Sequence, residues 1–148
     1  MRLNVFYIVS VCALLISCDN DDYPYSEVPS VVLNSFRTQF PNATDVEFKK
    51  LDGHYEVEFE TNQDDAGAII DSGGTVLEVR REVSWNDLPV EVRNNLDKEF
   101  GKKKIEDPEI ITAGDQMFFQ VQIKRFLTDK KVVLDRRGKP NPSLDYWD

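Results

Sequence analysis

Thiols and imidazoles are nearly missing from this chain. Its 148 residues hold two cysteines, Cys12 and Cys18, and a single histidine, His54. Beyond residue 18 nothing can form a disulfide or the usual His/Cys zinc set. There is no Gly-x-Ser-x-Gly elbow, and Ser72-Gly73-Gly74 lacks the lysine and following helix of a phosphate loop. A Ser-His-Asp set would have to be built around His54, which follows the Asp52-Gly53 turn and reads as an exposed strand-end residue. Positive charge is short as well, with 18 Lys and Arg against 27 Asp and Glu, a net charge of −9. That balance argues against nucleic acid as a partner, because phosphate binding needs a basic footprint. The run Lys102-Lys103-Lys104 follows an expected helix end, where cations suit the dipole. With no nucleophile set, metal set or cofactor loop, the chain reads as non-enzymatic and free of cofactors.

What is present begins at the N-terminus. Val5 to Ile16 is an apolar run broken only by Ser10, too short to span a bilayer and suited to the apolar stretch of a secretory signal. It ends in Leu15-Ile16-Ser17-Cys18, which resembles a bacterial lipobox. The resemblance implies that residues 1–17 are a signal removed before Cys18 and that Cys18 carries lipid. Two acyl chains give stable anchoring where one does not. Residues 18–27 then read as a tether. Its Asp19-Asn20-Asp21-Asp22 is either a solvated acidic linker or a sorting signal of the kind found in Bacteroidota lipoproteins. The expectation is a chain lipid-anchored in the bacterial envelope, at the outer membrane, on its periplasmic face or at the cell surface.

The body of the chain is written twice. Tyr55-Glu56-Val57-Glu58-Phe59-Glu60 is an alternating strand that returns as Phe119-Gln120-Val121-Gln122-Ile123-Lys124, with Val57 and Val121 spaced 64 residues apart. The same spacing carries Asp71-Ser72-Gly73-Gly74 onto Asp135-Arg136-Arg137-Gly138. Upstream, Val28-Pro29, Val32, Phe36 and Phe40 answer Leu88-Pro89, Val92, Leu96 and Phe100 at a spacing of 60. The pattern predicts an α+β fold of two tandem units, 28–83 and 84–140, each a helix packed on an antiparallel meander of three to four strands. A unit this small buries only about 60% of its unfolded surface, so the two should pack together or pair edge to edge. The first helix is expected to begin near Pro29, where proline is tolerated at the first helical position, and Trp85 to Pro89 to open the second unit. The second unit's first strand should be interrupted near Pro108. Pro140 and Pro142 exclude a regular fourth strand there and leave residues 141–148 as a tail, frayed or tucked by Trp147 against the body.

Two copies of a helix opening with (Leu/Val)-Pro-x-x-Val, an aromatic-led alternating strand and an Asp-x-x-Gly hairpin resemble the PepSY-like family of bacterial exported proteins. The matching positions are Val28-Pro29, Tyr55 to Phe59, Asp71 with Gly74, Leu88-Pro89, Phe119 to Ile123, and Asp135 with Gly138. That family is similar in fold to a secreted β-lactamase inhibitor and is common among Bacteroidota lipoproteins. The resemblance implies a fold and an inhibitor-like or chaperone-like habit of binding rather than a chemistry.

Alternation decides which residues could bind. Tyr55, Val57 and Phe59 take the core face, so Glu56, Glu58 and Glu60 lie on the outer face of the sheet. In the second unit that face carries Phe118, Gln120, Gln122 and Lys124. Three readings of the glutamates are weighed: a solvated face, a binding face, and paired carboxylates for glycoside hydrolysis, which would need a cleft and one raised pKa. The site expectation is that these seven residues, with Phe118 exposed, engage an envelope protein or peptide. The alternative is a sensor that takes a small ligand or cation through the acidic face.

Overall fold

Two amphipathic stripes and seven alternating runs account for the architecture. In the computed structural model, which describes residues 25–62, 64–142 and 144–147, helix α1 spans Ser30–Gln39 and helix α2 spans Val90–Phe100. The signal segment and the Cys18 lipidation site lie outside the described residues. Strands β1 (Thr44–Leu51), β2 (His54–Thr61), β3 (Asp64–Asp71) and β4 (Val76–Glu82) follow α1. Strands β5 (Ile105–Ala113), β6 (Gln116–Ile123) and β7 (Lys130–Leu134) follow α2. All seven form one antiparallel sheet in chain order. The halves meet edge to edge, β4 pairing with β5 from Glu78↔Ala113 to Glu82↔Glu109.

One face of the sheet is covered by the helices. Val32 and Phe36 of α1 pack on Phe48, Tyr55, Val57, Phe59, Ala68 and Ile70. Phe36 meets Phe48 and Phe59 edge-on, with ring centroids 5.7 and 5.1 Å apart, within the favourable range for aromatic pairs. Val92 and Leu96 of α2 form a second cluster with Phe119, Val121, Ile123, Val132 and Leu134.

The turns tie sheet to helix. Asp71 Oδ1 accepts the backbone N–H groups of Gly73 (2.9 Å) and Thr75 (2.7 Å). Asp135 Oδ1 accepts those of Arg137 (2.8 Å) and Lys139 (2.9 Å). The closing glycines, Gly74 and Gly138, have φ of 87° and 73°, the left-handed region that favours glycine. Each also lies against the first turns of a helix. A Cβ on Gly138 would sit 2.8 Å from Val92 Cα, and one on Gly74 would sit 3.0 Å from the Val31 carbonyl oxygen.

Two prolines sit differently from the local expectation in detail. Pro29 and Pro89 are N-caps with ψ of 139° and 147°, so each helix starts one residue later. Pro29 still contributes, because its carbonyl accepts the N–H groups of Val32 and Leu33. Strand β5 is continuous past Pro108. A register shift between Glu106 and Glu109, with Asp107 at φ 47°, takes up the proline in a bulge. Strand β7 begins at Lys130.

Candidate site on the outer sheet face

Register places the expected residues together. Glu58 lies opposite Gly67, Gly67 opposite Arg80, Arg80 opposite Ile111, and Ile111 opposite Phe118. The next row runs from Glu82 through Glu109 to Gln120. In that register Glu56, Glu58, Glu60, Phe118, Gln120 and Gln122 share the face away from the helices, as alternation required. Lys124 stands just past the end of β6, where its Nζ pairs with Glu106 at 2.6 Å.

Exposure is where the expectation fails. Gln120 is fully buried and Glu56 is 9% exposed. Phe118 is half-buried rather than exposed, as are Glu60 and Gln122. Glu58 and Lys124 remain open to solvent, with side chains 55% and 63% exposed. The physical reason is the C-terminal segment. After an isolated bridge between Leu134 and Pro140, the chain turns across the outer face and lays Trp147 over its centre.

Trp147 is held at four points. Its backbone N–H donates to Gln120 Oε1 at 3.1 Å, and its carbonyl accepts from Gln120 Nε2 at 2.7 Å. The Gln120 amide thus pairs with both main-chain groups of one residue, as a neighbouring antiparallel strand would. The indole N–H donates to Glu56 Oε1. The ring lies over the Arg80 guanidinium, 5.2 Å from carbon to centroid, in the range of cation–π attraction. Gly67 makes room for this, since a Cβ there would come within 3.1 Å of Trp147 Cζ2.

Arg80 organises the polar floor. Its Nη1 contacts Glu109 Oε1 at 3.5 Å and donates to the Trp147 carbonyl at 3.2 Å, while its Nη2 reaches Glu58 at 4.0 Å. Gln120 Nε2 also donates to Glu109. Burial raises the Glu109 pKa above the ordinary glutamate value, against the lowering effects of Gln120 and Arg80. Beside this floor lies an acidic cleft of about 360 Å³ lined by Asp65, Glu82, Asp107, Glu109, Arg80, Gln122 and Tyr146. Burial, and then the charge of Glu109, push the Tyr146 phenol up to about 12.

Sequence reasoning missed Arg80, Gly67 and Glu109. One arginine of the Arg80-Arg81 pair and a glycine in the adjacent strand carry no motif. The signal available was the register: β3 and β4 place both beside Glu58.

His54 sits at the start of β2 with Nδ1 2.9 Å from the Asp52 carbonyl. Among the described residues, no group of three or more His, Cys, Asp or Glu side chains is placed to hold a metal ion. Nor is any helix among them long and apolar enough to cross a membrane.

Fold and face together define an α+β protein whose single seven-stranded antiparallel sheet is backed by two helices and crossed by its own C-terminus. Residues 14–78 match the family described as "putative beta-lactamase-inhibitor-like, PepSY-like", so the resemblance carried by the Val-Pro helix, the Tyr55 strand and the Asp-x-x-Gly turn is found independently. Among solved structures, a protein of Bacteroides eggerthii described as a "putative periplasmic" protein is similar, at 14% identity and a TM-score of 0.69. That match covers 76% of this chain and 85% of that one. A BLIP-like protein of Bacteroides fragilis is similar at 15% identity and a TM-score of 0.63, over 76% of this chain and 82% of that one. A DUF2874 family protein of Bacteroides uniformis is similar at 15% identity and a TM-score of 0.67, over 76% and 85%. At such identities the likeness is one of fold. No curated protein matches the chain.

Proposed function

We propose that this chain is a non-enzymatic binding module of the bacterial envelope that engages a protein or peptide through its outer sheet face. Its action is inhibitor-like or chaperone-like, in keeping with the BLIP-like and PepSY-like proteins it resembles. The observation that carries the reading is the outer face itself. One part of that surface carries a buried or half-buried set of hydrogen-bonding groups, Gln120, Glu109, Arg80 and Glu56, that already hold a segment of the chain. Polar groups placed this way specify a partner more than they stabilise a fold.

The wider reading is of two tandem PepSY-like units, 28–83 and 84–140, supported by the matched turns at Asp71 and Asp135. Cys18 anchors them by lipid at the outer membrane, which the lipobox-like residues and the periplasmic description of a structural neighbour both favour. In a second reading the acidic cleft beside Tyr146 takes a small cationic ligand; its four carboxylates against one arginine favour that charge.

Crosslinked capture from the native envelope tests the first reading, with wild type set beside Glu58→Lys and Glu60→Lys. An enriched partner that depends on both glutamates supports it. Capture indifferent to both charge reversals removes this face from the account. Thermal stabilisation by a small cation, with no such partner, would favour the second reading.

A further inference from the structure

The C-terminal residues do on this face what a bound peptide would do. Trp147 offers its main-chain N–H and C=O to one side-chain amide, its indole N–H to a carboxylate and its ring to a guanidinium. None of these contacts belongs to the two apolar clusters under the helices. The fit is also incomplete: among the described residues no acceptor meets the buried Arg80 Nε. A buried donor left unanswered is costly, so an occupant that supplies an acceptor there would bind better than the tail.

The neighbouring cleft adds a preference for charge. It presents Asp65, Glu82, Asp107 and Glu109 around a single arginine, and the tail lines one side of it with the uncharged Tyr146. The tail itself is acidic, since Asp145 precedes Tyr146 and Asp148 follows Trp147. A lysine or arginine at the Tyr146 position would bring a second positive charge to a cleft where four carboxylates face one arginine.

We infer that the groove over Gly67 is a recognition site for an extended peptide carrying tryptophan, preferably with a basic residue just before it, and that residues 144–147 are its resident occupant. This deepens the outer-face reading and rests on it. The tail is a tethered competitor, and a short tether gives it an effective concentration on the order of millimolar. A site closed nine-tenths of the time loses about tenfold in apparent affinity for any peptide added in trans.

The test uses full-length protein and two synthetic hexapeptides, Ser-Leu-Asp-Tyr-Trp-Asp and the same peptide with lysine in place of tyrosine. Trp147→Ala opens the groove without touching either apolar cluster, and its circular dichroism melt shows whether the fold is kept. The expected result is binding of the first peptide to Trp147→Ala about tenfold tighter than to wild type. The lysine peptide should bind tighter still, and Gly67→Val in the Trp147→Ala background should abolish both. Folded Trp147→Ala that binds neither peptide would overturn the inference and leave the tail as a plug. So would equal binding with and without the Gly67→Val change. Neither failure touches capture through exposed Glu58 and half-buried Glu60, so the broader outer-face reading stands or falls separately.

Discussion

The two faces of the sheet are held by opposite means. The helix-side face is apolar throughout its two clusters, and its contacts are packing: Phe119, Val121 and Leu134 are all but inaccessible beneath α2. The outer face is joined by directed bonds among Gln120, Glu109, Arg80, Glu56 and one tryptophan from the chain end. Packing is non-directional and roughly proportional to buried apolar area, so it fixes a fold without selecting a partner. Buried hydrogen bonds contribute little net stability yet are costly when left unmade. The comparison teaches where to look for each property: stability on the helix side, selectivity on the tail side.

The contrast breaks most plainly at Phe119. Phe119→Ala empties the second core and should destabilise by about 3–5 kcal/mol, read from the shift in a denaturant midpoint. Replacing Gly138 comes next. Alanine at its φ of 73° costs about 1–2 kcal/mol for the left-handed backbone alone. The 2.8 Å approach of its Cβ to Val92 Cα adds to that. Gly53→Ala, where a Cβ meets nothing within 4 Å, should show only the backbone part, so the difference between the two melts isolates the helix contact.

On the outer face the expected effects are smaller. Tyr146 has its pKa raised to about 12 by burial and by Glu109, whereas a released tyrosine titrates near 10. A raised pKa in the docked state means docking is fully supported below pH 10. That support is lost as pH rises through about 12. Tyrosinate absorbance should therefore show one late-titrating phenol in wild type that disappears in Tyr146→Phe and moves to lower pH in Trp147→Ala. The smallest effect is at Glu58. Its side chain is 55% exposed and 4.0 Å from Arg80, so Glu58→Lys should leave the melting midpoint within about 0.5 kcal/mol of wild type.

Much of the helix side was legible in the sequence. Period-2 alternation at Tyr55 to Glu60 and at Phe119 to Lys124 named the buried face, and the Asp-x-x-Gly turns marked both hairpins. Alternation gives direction, however, and not exposure. Gln120 points outward as read, yet it is fully buried because residues 27 positions further along fold over it. Nothing local announces that contact, for the tail after Pro142 has no periodicity and the partners of Trp147 lie in four different strands. Pro108 misled for a related reason. Its missing N–H forbids a regular ladder, but a bulge accommodates it, and its carbonyl still accepts the Val83 N–H at 2.9 Å. Arg80 and Gly67 were invisible until register set them side by side.

The account stands on the outer face being a recognition surface that the chain's own end partly covers. Crosslinked capture from the native envelope, run in parallel with wild type, Trp147→Ala and Glu58→Lys, tests this most directly. The account predicts one partner, enriched several-fold by Trp147→Ala and diminished by Glu58→Lys, with all three proteins equally folded. Equal capture by all three would contradict it.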